Sequence, residues 1–231
     1  MNIATKDHTS KVFDGELNHL HCLVLEMAGL VINQLDLSLK ALHDRDSRLA
    51  EKVILRDREV DNHEIIIDNA VFTILAKRCP VASDLRKILS VSKMVVDLEL
   101  IGDEIVKISK LIISLFDNGS SDPNPQLLRD IVKMGEMVSN MLKQVTQFFD
   151  TCDLEGSYTL LNEKWDYCEE FQAGIRRQLT FVIENPRILS RLLNILQIMK
   201  SLERCGDHCR NMNEYLIFMF EGKNIRHQEA D

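Results

Sequence analysis

The strongest constraint on this chain is an internal repeat. The segment DLELIGDEIVK at 97–107 recurs as SLERCGDHCRN at 201–211. An interval of 104 residues separates Glu99 from Glu203, and the same interval separates the aspartates of the two segments. Self-similarity at a fixed period indicates that one structural unit is used twice. The chain is therefore expected to fold as two copies of one arrangement of elements.

The apolar residues recur with the period of an α-helix through most of the chain, which contains only 9 Gly and 4 Pro. This predicts an all-α protein of six long helices, three in each copy. The predicted helices span about 12–43, 46–77, 81–116, 125–151, 153–184 and 187–221. The stretch DNGSSDPNP at 117–125 is typical of a loop.

The repeat and the loop together predict the domain organisation. A first three-helix bundle is expected at 1–117, a linker at 118–125 and a second three-helix bundle at 126–231. The two bundles are expected to be tandem versions of one fold.

Acidic residues recur four positions apart in the repeated helix. Glu99 and Asp103 share one side of the third predicted helix, as Glu203 and Asp207 do on the sixth. Like charges at this spacing repel each other by a few tenths of a kcal/mol. Either water screens this repulsion on an ordinary solvated face, or a cation lies over the carboxylates.

The second predicted helix carries an acidic stripe of its own. Its members are Asp57, Asp61, Glu64 and Asp68, and the fifth helix has the weaker series Asn162, Asp166 and Glu169. Carboxylates from two neighbouring helices suit a hard cation such as Mg²⁺, Ca²⁺, Mn²⁺ or iron. Gly102 and Gly206 each cost about 1 kcal/mol inside a helix, which is consistent with close approach of a neighbouring helix or ion shell.

The net charge of −8 makes DNA or RNA an unexpected direct partner. The N-terminus lacks the apolar core of a signal peptide, and no apolar run approaches the ~20 residues that span a bilayer. A cytoplasmic protein with reduced thiols is therefore expected. Cys205 and Cys209, four residues apart around His208, are compatible with zinc. Their alignment with Leu202, Met212 and Leu216 favours packing in the core.

Two longer stretches closely resemble the repeats of the PhoU family, accessory proteins of bacterial phosphate-specific transport. They are PVASDLRKILSVSKMVVDLELIGDEIVKISK (80–110) and ENPRILSRLLNILQIMKSLERCGDHCRNMNEYLIFMFEGKNIRH (184–227). The resemblance implies two three-helix bundles in a cytoplasmic, often dimeric protein without catalytic activity. It also implies negative regulation of the phosphate-starvation response, by contacts with a sensor histidine kinase and the ATPase of the phosphate ABC transporter.

The resemblance further implies metal ions, either single or in clusters of iron, zinc, manganese or magnesium, held by acidic motifs. The matching residues are Asp57, Asp61, Glu99, Asp103, Asp166, Glu203 and Asp207, with Glu64, Glu169 and Asn211 as weaker candidates. This chain departs from the family pattern in places. Asn162 replaces an acid, and Leu100 and Lys107 stand where the second repeat keeps Arg204 and Asn211. The two halves are therefore expected to differ in metal occupancy, with Lys107 partly neutralising Asp103.

A rival function is a carboxylate-bridged metalloenzyme or a metal-storage bundle. Four-helix proteins of that class hold di-iron centres with Glu-x-x-His motifs. No such motif occurs at matching positions in both halves of this chain. The sequence therefore favours a regulatory adaptor, with a purely structural bundle as the plainest alternative.

Overall fold

The computed structural model describes residues 11–116, 125–162, 167–184, 188–223 and 225. Within these residues the regular structure is helical, which confirms the predicted all-α class. Seven α-helices lie in the described ranges: α1 (Lys11–Asp44), α2 (Ser47–Arg78), α3 (Ala82–Phe116), α4 (Pro125–Thr151), α5 (Leu154–Asn162), α6 (Tyr167–Glu184) and α7 (Leu189–Glu221).

Five of the six predicted helices agree with the structure to within two residues at each end. The single fifth helix predicted at 153–184 corresponds to two described helices, α5 and α6, and residues 163–166 between them lie outside the described residues. Most of the predicted linker, 118–124, also lies outside them, so the domain boundaries stay a prediction.

The helix ends follow local chemistry that is visible in the sequence. The carboxylate of Asp46 caps α2 by accepting from the backbone N–H groups of Arg48 and Leu49, at 3.0 and 3.1 Å. At the other end of α2, Cys79 adopts a left-handed conformation (φ 46°) immediately before Pro80, which cannot continue the helix. Gly222 ends α7 with φ 76°, a conformation that glycine adopts without steric cost.

The two helical units are joined along their length. In the first unit α1, α2 and α3 pack on one another, and in the second α4, α5 and α6 pack around α7. The most extensive helix–helix contact in the described structure is between α3 and α7, the two copies of the repeated helix, and α1 also packs on α4. Buried residues from both units therefore form one continuous hydrophobic core.

Helix α1 corrects the expectation that no apolar run in the chain is long enough to span a bilayer. By length and hydropathy it is the one helix of the described residues that is apolar enough to cross a membrane. Its apolar side chains, however, pack in the core against the neighbouring helices, with Met27, Val31 and Leu35 fully buried. Such a core helix passes the same hydropathy test as a membrane span, so the observation is weak evidence for a membrane.

The interpretation of Cys205 and Cys209 as core residues is confirmed. Both side chains are fully buried within the hydrophobic core. Burial raises the pKa of both thiols well above the ordinary value, because the thiolate form would lose its hydration. They therefore pack as small apolar groups.

Candidate functional site

Gly102 sets the distance between α2 and α3. The two helices are joined by only three residues, so they run antiparallel as neighbours. A Cβ atom placed on Gly102 would lie 3.3 Å from Oδ1 of Asp57 and 3.5 Å from Cγ1 of Val60. The missing side chain thus allows the close approach that the sequence predicted, and it brings the acidic residues of α2 next to those of α3.

Replacing Gly102 by valine is expected to lower the free energy of unfolding by about 1–3 kcal/mol, because the added methyl groups would overlap Asp57 and Val60. The matched control is Gly29→Val, since a Cβ at the exposed Gly29 meets nothing within 4 Å. That control should change stability by less than about 0.5 kcal/mol. Urea denaturation of both variants checks the prediction, and an equal effect of the two substitutions would contradict it.

Six carboxylates lie along the seam between α2 and α3, and we call this set the acidic face. Its members are Asp57, Asp61, Glu64 and Asp68 of α2, and Glu99 and Asp103 of α3. Among the residues that the structure describes, none of the six forms an ion pair with a lysine or arginine. The acidic face is therefore a local concentration of negative charge.

The electrostatics of the acidic face show that its members interact. The pKa of Glu99 is raised, first by desolvation and then by repulsion from Asp103, Glu64, Asp61 and Asp57. The pKa of Asp57 is raised by desolvation and by Asp61 and Asp103, although a hydrogen bond from Gln34 opposes this. Glu64 has a raised pKa for the same reasons, with Asp68 and Asp61 as its charged neighbours. The two helices therefore bring their acids together, as the sequence predicted for the first half.

Gln34 of α1 is a residue of this site that sequence analysis missed. It is only 3 % exposed, and its Nε2 donates to Oδ1 of Asp57 at 3.4 Å. Its Oε1 is buried without a hydrogen-bond partner and lies 3.7 Å from the Cβ position of Gly102. A signal existed in the sequence, because Gln34 interrupts the apolar stripe of α1 that contains Met27, Val31 and Leu35.

The raised pKa of Glu99 predicts a pH-dependent effect of Glu99→Gln. A carboxyl group with a folded-state pKa above its ordinary 4.5 costs stability when it is ionised, and the cost vanishes as the pH falls to 4.5 and below. The substitution should therefore raise the free energy of unfolding at pH 7, by about 0.5–1 kcal/mol after allowance for solvent screening.

This gain should shrink as the pH is lowered through the raised pKa towards 4.5, as measured by urea denaturation of metal-free protein in EDTA across pH 4–7. The control is Glu136→Gln on the exposed side of α4, which should change the free energy of unfolding by less than about 0.5 kcal/mol at pH 7. A constant gain at all pH values in the Glu99 variant would contradict the prediction.

The predicted acids of the second half have different surroundings. The side chain of Glu203 is largely buried and pairs with Lys200 of its own helix. Asp207 and Glu169 are exposed, and Asp166 lies outside the described residues. Arg177 of α6 contacts Asp130 of α4 at 2.7 Å and Glu170 of its own helix at 3.3 Å, and Lys133 of α4 also contacts Glu170. Basic side chains thus pair with Glu203, Asp130 and Glu170 in this half.

The contact between α3 and α7 engages several polar residues near the predicted sites. Nδ1 of His208 lies 2.7 Å from Oδ1 of the buried Asp97, to which Asn211 also donates at 3.4 Å. Asn211, a weaker metal candidate, therefore lies in the seam between the two units. Asp97 was missed by sequence analysis, because one buried aspartate on an apolar helix carries no signal of its partner.

Glu104 of α3 is a second acidic residue that contacts α7. It is buried, and it accepts from Arg204 of α7 at 3.2 Å and from Lys107 of its own helix at 3.0 Å. Lys107 thus contacts Glu104 rather than Asp103, which it was expected to neutralise. Hydrogen bonds from Ser201, Lys107 and Arg204 outweigh desolvation and lower the pKa of Glu104. Lys107, which departs from the second repeat, therefore shares the carboxylate of Glu104 with Arg204 of the other unit.

No three His, Cys, Asp or Glu side chains within the described ranges converge closely enough to form a site for one metal ion. The donor types of the acidic face nevertheless fit a hard cation, because carboxylates from two helices repel each other there and the buried amide oxygen of Gln34 has no hydrogen-bond partner. The candidate residues of the second half, as far as the structure describes them, lack this combination of mutually repelling carboxylates and a buried amide oxygen.

Comparison with known proteins finds the same internal repeat, because one family matches the chain twice. The family described as PhoU domain matches residues 24–112 and again residues 131–216. The phosphate-specific transport system accessory protein PhoU homolog of Pseudomonas aeruginosa is 37% identical over 220 residues, which cover 95% of this chain and 90% of that protein. The protein PhoU of Escherichia coli is 33% identical over 224 residues, covering 97% and 91% of the two chains.

Solved structures agree with these matches. The crystal structure of PhoU from Pseudomonas aeruginosa superposes with a TM-score of 0.86 at 36% identity, covering 91% of this chain and all of that one (100%). PhoU from Streptococcus pneumoniae, described as a phosphate transport system regulatory protein, has a TM-score of 0.81 over 91% of this chain and 98% of its own. At 24% identity, this second similarity concerns the fold alone.

Proposed function

This chain belongs to the PhoU family, and we propose from that membership that it is a regulatory accessory protein of phosphate transport. In this role it is a negative regulator of the phosphate-starvation response and a modulator of the phosphate ABC transporter. The observation that carries the proposal is the match of both repeats, in order, to relatives named as phosphate-specific transport accessory proteins.

The proposed mode of action is protein–protein contact in the cytoplasm. The proposed partners are a sensor histidine kinase and the ATPase of the transporter, and a homodimer is the proposed assembly. A bundle of long helices with one continuous core suits this role, since it presents helical surfaces over a large area. The names of the relatives, which describe accessory and regulatory proteins, support a role without catalysis.

The metalloenzyme or metal-storage alternative is less well supported. The Glu-x-x-His motif of di-iron bundles is missing at matching positions in the sequence. His208, the histidine nearest to the acids of α7, contacts Asp97 across the α3–α7 seam.

Metal binding at the acidic face is a separate part of the proposal. Asp57, Asp61, Glu64, Glu99 and Asp103 would hold a hard cation such as Mg²⁺, Mn²⁺ or iron, and Zn²⁺ is a further candidate. A bound cation would supply positive charge that turns the repulsion between these carboxylates into attraction. The second set, Asp166, Glu169, Glu203, Asp207 and Asn211, stays a weaker candidate because Lys200 pairs with Glu203.

Metal analysis of purified protein before and after chelation tests this part. Glu99→Gln/Asp103→Asn is expected to abolish the chelatable metal, whereas the matched pair Glu203→Gln/Asp207→Asn in the second repeat should retain most of it. Equal metal content in wild type and the first variant would refute binding at the acidic face.

A reporter experiment tests the regulatory function. The gene is deleted in its host, and a promoter that responds to phosphate starvation is monitored in excess phosphate. Expression is expected to rise to the starved level and to fall again when the wild-type gene is restored. Co-purification with the kinase and with the ATPase then examines the two contacts. A reporter that stays repressed after deletion would reject the regulatory role.

A further inference from the structure

Exposed apolar side chains line both flanks of the acidic face. On α2, Ile65 and Phe72 are 57% and 69% exposed, and on α3, Leu89 and Val96 are 44% and 46% exposed. The members of each pair are seven residues apart, so they lie in one row along their helix. Large apolar side chains grouped in rows on a surface are typical of an interaction site.

Helical geometry places the charges between the two apolar rows. The contact of Gly102 with Asp57 and Val60 marks the sides on which α3 and α2 meet. Moving outwards around α2 from this seam, at 100° per residue, Glu64 comes first, followed by Asp68 and Asp61, and then by Phe72 and Ile65. Around α3 the order is Glu99, Asp103, Val96 and Leu89. The surface is therefore a negative strip with an apolar flank on each helix.

Basic residues near the strip are engaged elsewhere or lie at its ends. On the exposed side of α3, Lys93 lies over the ring of Tyr215, 5.6 Å from its centroid, and Lys107 contacts Glu104. Lys110, seven residues after Asp103, lies at one end of the strip and attracts Asp57, and Arg58 ends the apolar row of α2. The strip thus keeps a strong negative potential along its centre.

We propose that this surface docks a basic amphipathic helix of a partner protein. Lysine or arginine side chains along the centre of that helix would face the acidic strip, and apolar residues beside them would cover Ile65, Phe72, Leu89 and Val96. Complementary charge guides the encounter, and apolar burial supplies most of the affinity. This inference rests on the adaptor role proposed above and names the surface and the partner chemistry for it.

Charge argues against the other occupants of such a surface. A second copy of this chain carries the same net charge of −8 and the same acidic strip, so two of these faces would repel each other. An anionic membrane would be repelled for the same reason. A basic segment of another protein is the occupant that matches both the charge and the apolar flanks.

The probe for the test is a fluorescein-labelled synthetic amphipathic peptide of leucine and lysine, long enough for about five helical turns. Its comparison is a peptide of the same composition in permuted order, which has no apolar flanks. Fluorescence anisotropy is measured with the full chain in EDTA, because metal ions would compete for the same carboxylates. Binding of the patterned peptide should be at least about tenfold tighter than that of the permuted one and should weaken with salt.

Matched variants locate the binding site. Ile65→Ser/Phe72→Ser and Asp61→Asn/Asp68→Asn should each weaken binding by about tenfold or more. The controls are Leu179→Ser/Ile183→Ser, which changes exposed apolar residues of α6, and Glu136→Gln/Glu155→Gln, which removes two exposed charges of α4 and α5. Both controls should bind within about twofold of wild type. Circular dichroism and the urea midpoint verify that every variant is folded.

Three results would overturn the docking inference. The first is equal binding of the patterned and permuted peptides, and the second is an equal loss in the control variants. The third is evidence for another occupant, namely a wild-type dimer that Ile65→Ser/Phe72→Ser converts to a monomer, or sedimentation of wild type with phosphatidylglycerol vesicles. The phosphate reporter separates the two proposals, because regulation that persists in Ile65→Ser/Phe72→Ser rejects this surface and leaves the adaptor role in place.

Discussion

Truncating Leu202 to alanine is expected to lower the free energy of unfolding by about 3–4 kcal/mol. Leu202 of α7 is fully buried in the continuous core, next to the extensive contact with α3. Removing three buried carbon atoms loses their transfer free energy and leaves a cavity that a close-packed helical core fills only in part. Urea denaturation measures the change, and Leu193→Ala, at a half-exposed position of the same helix, is the control with an expected loss below about 1 kcal/mol.

The same substitution also tests whether the two repeats are one folding unit. Leu98 is the counterpart of Leu202 in the first repeat, 104 residues earlier, and it is equally buried. Because the core is shared, Leu98→Ala and Leu202→Ala should each shift one cooperative transition of the whole chain. Two separate transitions, with only the mutated half shifted in each variant, would show that the halves fold independently and would contradict this interpretation of the core.

Replacing His208 by leucine is expected to lower the free energy of unfolding by about 3 kcal/mol. The substitution removes the 2.7 Å contact with Asp97 and leaves a buried carboxylate with the longer hydrogen bond from Asn211. A buried charged group that loses its main partner pays a desolvation cost that the fold no longer offsets. Unfolding in urea at pH 7 measures the loss, and His19→Leu on the exposed surface of α1 should change stability by less than about 0.5 kcal/mol.

A second variant separates this electrostatic cost from a loss of packing. Asp97→Asn combined with His208→Leu removes the buried charge together with its partner. The double variant should therefore be less destabilised than the sum of the two single variants. Strict additivity would mean that the two side chains do not interact, and the 2.7 Å contact would then carry no stabilisation.

The acidic residues show how far sequence reasoning extends to the site. Their four-residue spacing predicted that they share helix faces, and in the first half the structure brings the acids of α2 and α3 close enough to raise the pKa values of Asp57, Glu64 and Glu99. In the second half the same spacing occurs, but there Glu203 forms an ion pair with Lys200 of its own helix. Equal motifs in the sequence thus have unequal electrostatic surroundings in the fold.

The sequence alone determined the helical class, the duplication, the approximate bounds of most helices and the stripes of acids, because all of these depend on residues that are close along the chain. Tertiary structure alone decided which partner each charge has: Gln34 beside Asp57, Asp97 opposite His208, and Arg204 on Glu104. These pairs join residues up to 111 positions apart. The energy of a charge depends on distance and solvent exposure in three dimensions, which the order of residues does not specify.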